Sequence, residues 1–131
     1  MNKHIIKISL GLSLLLVVIF TCSYFTDKYL HSTSERMDYH IAEIEMNIKS
    51  DQWDTVSSKL IIMKNEWDST VKIWPILIDH FEIDIIENAM TRMSAYIDSK
   101  SKEDALAEAW ALRKFIQHIP VKSTLNIQNF F

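Results

Sequence analysis

The sequence predicts an all-α protein in which an N-terminal transmembrane helix continues into an antiparallel, up-and-down bundle of about four helices. Three observations carry that expectation. Glycine occurs once and proline twice in 131 residues, too few for a turn-rich β fold. Residues 8 to 26 hold no charged side chain. Most of the chain beyond them repeats apolar residues at steps of three and four, the spacing that lines one face of a helix.

A chain of this length has room for one small core plus an anchor, which divides it into an anchor over 1–26 and an extracytoplasmic helical domain over 27–131. Lys3 and Lys7 give the start +2, so the overall −3 leaves −5 for residues 27 to 131. An acidic domain disfavours nucleic acid as a partner, because that affinity rests on Lys and Arg neutralising phosphates. Cys22 is the single cysteine and lies in the apolar run, so no internal disulfide and no Cys/His zinc spacing exists.

The nineteen residues from Ile8 to Thr26 would span roughly 28 Å as a helix, close to the ~30 Å hydrocarbon core of a bilayer. Lys3 and Lys7 flank it and predict a cytoplasmic N-terminus, a single pass through the cell membrane and a domain facing outward. The competing reading is a cleaved signal peptide, with Thr21 and Ser23 at the small-residue positions. The length of the run favours the anchor. Phe20 and Thr21 are poor residues to precede a lipidated Cys22.

Leu30, Ser34, Met37, Ile41, Ile44 and Ile48 then form one seam, so the anchor is expected to run on as a rod. Ser50-Asp51 interrupts it, with Asp51 expected as the N-cap of the second helix. Trp53, Val56, Leu60, Met63, Trp67, Thr70, Trp74 and Leu77 keep the spacing through that helix, and Pro75 should kink or end it. Asp79 and Glu82 read as an N-cap and its N3 partner, opening a third helix through Ile83, Ile86, Met90, Met93 and Ile97. Ser101 and Asp104 repeat that pattern before a fourth helix through Ala105, Ala109, Leu112, Ile116 and Ile119, with Pro120 expected just past its end.

The basic start and apolar span, Asp51-Gln52-Trp53, Trp67, Trp74, Ile78-Asp79-His80, Glu82-Ile83-Asp84 and Phe115-Ile116-Gln117-His118-Ile119-Pro120 together resemble the bacterial domain-of-unknown-function family 4363. The resemblance implies a small single-span membrane protein of the cell envelope and implies no activity. Pro75 departs from the family's pattern.

Functional candidates concentrate at one end. Folding the last two helices about Lys100 brings His118 level with Ile83 and Asp84, so Asp79, His80, Glu82, Asp84 and His118 should gather beside Trp67 and Trp74. His80, Asp84 and Glu87 also share a helix face. One reading is a structural cluster, with His118 stapling the last helix to Asp84. The other is a metal or pH site with His80, Asp84, Glu87 and His118 as ligands. His31 and His40 are expected to be solvated, and Leu125, Ile127, Phe130 and Phe131 to dock on the bundle or dip into the bilayer interface. No partnered nucleophile, glycine-rich phosphate loop or H-E-x-x-H motif is visible, so neither an enzyme nor a cofactor is expected. The expectation is a non-catalytic accessory, scaffold or interaction module, with the membrane and another envelope protein or a homodimer as partners and no small-molecule substrate. The alternative is a ligand-, metal- or pH-sensing domain built on Asp79, His80, Asp84 and His118.

Overall fold

The computed structural model describes residues 2–128, with side chains through residue 122, and all regular structure among them is helical. Helix α1 spans Lys3–Lys49, α2 Trp53–Thr70, α3 Trp74–Leu77, α4 His80–Asp98 and α5 Lys102–Gln128. The expected apolar run and first seam thus form one unbroken helix of 47 residues. Its two halves differ sharply. No residue from Asn2 to Thr21 is even partly buried, whereas Leu30, Thr33, Ser34, Met37, Ile41, Ile44 and Ile48 are all buried.

α1 packs against α2 and α5, α4 packs against α5, and α2 meets α4 along a thinner seam. The polar partners fix how the helices lie. Glu43 meets Lys59 and Arg36 meets Glu66, so seven residues forward on α1 correspond to seven backward on α2. Asp38 with Arg113, and the Lys49 main-chain oxygen with Lys102, tie α5 to α1. Arg92 with Glu108 and Glu82 with Lys122 do so for α4 and α5. The core between them is the set of expected seams: Val56, Leu60, Met63 and Trp67 from α2, Ile83, Ile86, Met90, Met93 and Ile97 from α4, and Ala105, Ala109, Leu112, Ile116 and Ile119 from α5.

Several helix ends differ from expectation in position or capping. Asp51 is not the N-cap of α2. It sits in the left-handed region at φ 57° and its carboxylate takes the Lys102 ammonium, while Gln52 precedes the helix without a side-chain cap. α2 does not reach Pro75 but ends at Thr70. After a turn, Pro75 falls in the first turn of α3, where a missing N–H costs nothing. Asp79 does cap α4, accepting from the Phe81 N–H, but Glu82 pairs with Lys122 instead of closing the box. Ser101 likewise donates to the Asp104 carboxylate at 2.6 Å.

Pro120 is a further correction: it does not end the last helix but lies inside α5. A proline cannot donate to the carbonyl four residues earlier, here that of Ile116. The Ser34 hydroxyl of α1 donates to that same oxygen at 2.7 Å. A side chain from the neighbouring helix thus replaces the missing backbone donor, and the helix continues.

Candidate functional site

The end of the domain nearest the apolar half of α1 holds the groups singled out in the sequence. At its centre the indoles of Trp67 and Trp74 meet edge to face, with centroids 5.6 Å apart and planes at 84°. Both rings are buried. The Trp74 indole donates to the Thr33 hydroxyl at 2.9 Å, and Thr33 in turn reaches the Tyr29 and Leu30 carbonyls of its own helix. The Trp67 indole donates to Glu87 at 3.3 Å. Each tryptophan therefore buries its apolar body while its N–H keeps a partner, and together they lock α2 and α3 onto α1 and α4.

The ionisable residues are arranged differently from the expected cluster. Asp79, His80, Asp84, Glu87 and His118 are all exposed. Asp79 is occupied as the cap of α4, and Glu87 accepts from Trp67. His118 does not staple α5 to Asp84. It lies on the solvent face of α5, one position before the buried Ile119, and the link at this level is the Glu82–Lys122 ion pair. Among the described residues, no group of three or more His, Cys, Asp or Glu lies close enough to hold a metal ion. The tail side chains of Leu125, Ile127, Phe130 and Phe131 fall outside the described residues.

The two histidines on the rod differ: His31 is exposed as expected, and His40 is not. His31 Nε2 lies 3.9 Å from Asp27 on the preceding turn. His40 is half-buried beside the Tyr39 ring, and its Nδ1 is buried without a hydrogen-bond partner.

The strongest electrostatic tie is one that the spacing along the chain does not reveal. Arg113 of α5 donates through Nε at 2.7 Å and a terminal nitrogen at 3.2 Å to both oxygens of Asp38, and reaches Glu45 at 3.4 Å. Gln117 adds a bond to Asp38 at 2.9 Å. The hydrogen-bonded Asp38 carboxylate raises the Arg113 pKa above its already high ordinary value, against the opposing effect of burial. The signal for it was a fork-shaped cation on one helix and acids on another, which becomes meaningful only once their register is known.

Two open grooves flank this framework. One, of about 410 Å³, follows the thin α2–α4 seam and is lined by Lys64, Trp67, Glu87, Met90, Ser94 and Asp98 among others. The other, of about 380 Å³, lies between α1 and α5 around Ser34, Asp38, Arg113 and Pro120. Within the first groove the Lys64 ammonium donates to the Ser94 hydroxyl at 2.8 Å.

These features define a small all-helical protein whose N-terminal helix is long and apolar enough to cross a membrane. The family described as Domain of unknown function (DUF4363) matches residues 24–130, and the chain belongs to it. Comparison with curated proteins and with solved structures finds no match.

Proposed function

We propose that this protein is a membrane-tethered, non-catalytic interaction module, anchored by the first half of α1 and presenting an antiparallel up-and-down bundle outside the cell membrane to another envelope protein. The observation that carries this reading is the division of α1. From Asn2 to Cys22 it is covered by no other described residue, while the half after Tyr29 is the wall against which the bundle is built. An uncharged exposed helix of that length has no stable place in water and matches the thickness of a bilayer. Lys3 and Lys7 set its N-terminus on the cytoplasmic side. The α1 seam is already filled by α2 and α5, so a partner must use other surfaces. The α2–α4 groove, apolar at Trp67 and Met90 and rimmed by charge, follows a thin helix seam.

The test begins from a Cys22→Ser background in cells. A cysteine introduced at Ser57 should react with a membrane-impermeant maleimide from outside, and one at Lys3 only after permeabilisation. Reversal of that pattern overturns the topology. A photo-crosslinking residue at Ala95, beside the groove, should yield one defined adduct with a second membrane protein. Adducts with lipid alone, or with another copy alone, overturn the accessory reading. A sensing role for Asp79, His80, Asp84 and His118 predicts instead that divalent metal raises the melting temperature and that His80→Ala abolishes the gain.

A further inference from the structure

The surface that breaks the otherwise polar exterior most clearly is the α2–α4 connection and the neighbouring turn of α5. Ile76 is 81% exposed, Phe81 65%, Val121 52% and Ile73 43%. Among the described residues of the domain, the other exposed large apolar side chains (Tyr39, Met46, Ile61, Ile62 and Trp110) lie farther along α1, α2 and α5. Ile73 and Ile76 flank Trp74, whose indole is tied to Thr33, and Val121 adjoins Lys122, which is tied to Glu82. All four therefore belong to the same end of the domain, the one from which the apolar half of α1 departs.

The register places this end against a bilayer. The Trp74 indole is bonded to Thr33, about one turn along α1 from Tyr29, so Ile73 beside it lies within about a turn of the level of Tyr29. Tyr29 is three residues past Thr26, about 4.5 Å along the helix, and the headgroup layer of one leaflet is roughly 5–7 Å thick. We propose that Ile73, Ile76, Phe81 and Val121 form a second membrane contact, seated in the headgroup layer of the leaflet from which α1 emerges. The proposal rests on the anchored reading of α1. Aliphatic and aromatic side chains at such a depth leave water while the surrounding charges stay in it. Lys72 and Lys122 adjoin the patch in sequence, Lys72 suited to lipid phosphates and Lys122 paired with Glu82, while Asp79, Glu82 and Asp84 are the neighbouring acids on α4. α5 continues beyond Lys122 to Gln128 toward the same end, with Ser34 bonded to the carbonyl that Pro120 leaves open. With one helix as its only tether the bundle would swing freely. A second contact beside it holds the domain upright or tilted at a fixed angle, and fixes which groove faces outward.

The test uses the full chain, Cys22→Ser, in vesicles, with single cysteines labelled by an environment-sensitive fluorophore at Ile76, at Ile62 and at Leu14. Lipids carrying a nitroxide near the headgroup should quench the Ile76 label and shift its emission to the blue, and should leave the Ile62 label unaffected. Lipids carrying the nitroxide near the acyl terminus should quench the Leu14 label. Quenching at Leu14 with Ile76 no different from Ile62 overturns the second contact and leaves the anchor standing. Quenching at Ile76 without Leu14 overturns the anchor and supports the surface contact. A blue-shifted Ile76 label that no nitroxide lipid quenches shows that protein covers the patch, and overturns the proposal. A Phe81→Cys label serves as a second probe should Ile76→Cys fold poorly.

Discussion

The hydroxyl of Ser34 donates to the main-chain oxygen of Ile116, 82 positions away, in the buried interface between α1 and α5. That oxygen is the one Pro120 leaves without its helical donor. The pair accounts both for a proline inside a helix and for a serine on an otherwise apolar seam. Ser34→Ala should cost about 1–3 kcal/mol, the range for a buried carbonyl left without a partner. In a Pro120→Ala background, where the backbone N–H returns, the same substitution should cost clearly less. Denaturant unfolding of the four variants in detergent, followed by far-ultraviolet circular dichroism, measures the coupling. Equal costs in both backgrounds would show that Ser34 does not serve the proline.

Trp74 poses a different balance. Its indole is fully buried and its N–H is spent on Thr33, whose hydroxyl is itself anchored to the α1 backbone. Trp74→Ala should cost about 3–5 kcal/mol, since it empties a large cavity where α3 closes the core. Thr33→Val keeps the shape but strands the indole N–H, at about 1–3 kcal/mol. Both losses should show as lower denaturant midpoints, and the first should also flatten the near-ultraviolet dichroism of the edge-to-face Trp67–Trp74 pair.

His118 and Arg113 sit little more than one turn apart on α5 and should behave oppositely. His118 faces solvent, and its replacement by alanine should change stability by no more than about 0.5 kcal/mol. Arg113→Ala removes a two-pronged bond to Asp38 and the link to Glu45, leaving two half-buried carboxylates unpaired, and should cost about 1–3 kcal/mol. Thermal melts at neutral pH compare them. A large loss from His118→Ala would restore the staple to Asp84 that the sequence suggested.

Periodicity located nearly the whole core, because a seam at three-and-four spacing is a property of one helix and needs no knowledge of its neighbours. Trp53 and Leu77, at the ends of the second seam, are its only members left half-buried. The features that escaped depended on register between helices. Asp51 looks like a cap until Lys102, from a distant turn, draws its carboxylate away. Pro120 looks like a stop until Ser34 supplies the missing donor. His118 and Lys122 are one turn apart, and only the real offset between α4 and α5 decides which of them meets an acid. Ser34 itself stood on the seam as a polar residue among apolar ones, and that anomaly was the readable trace of its bond.

Glu43 of α1 gives the domain a dependence on acid. Both its oxygens accept from the Lys59 ammonium, at 3.0 and 3.1 Å, and the Tyr39 hydroxyl adds a bond at 3.3 Å. The hydrogen bond from Lys59 holds the Glu43 carboxyl below its ordinary value, and the desolvation that pushes the other way is smaller. A carboxyl whose pKa is lower folded than unfolded binds fewer protons in the native state. Its contribution is therefore complete above the ordinary carboxylate range and is lost as the pH falls through the depressed folded value. The wild-type melting temperature should accordingly drop more steeply than that of Lys59→Met between about pH 5 and about pH 3, with a constant gap between them above about pH 6. Exposed pairs elsewhere titrate in both proteins and cancel in the difference. Melting curves that stay parallel down to the acid limit would mean that Lys59 does not hold Glu43 ionised.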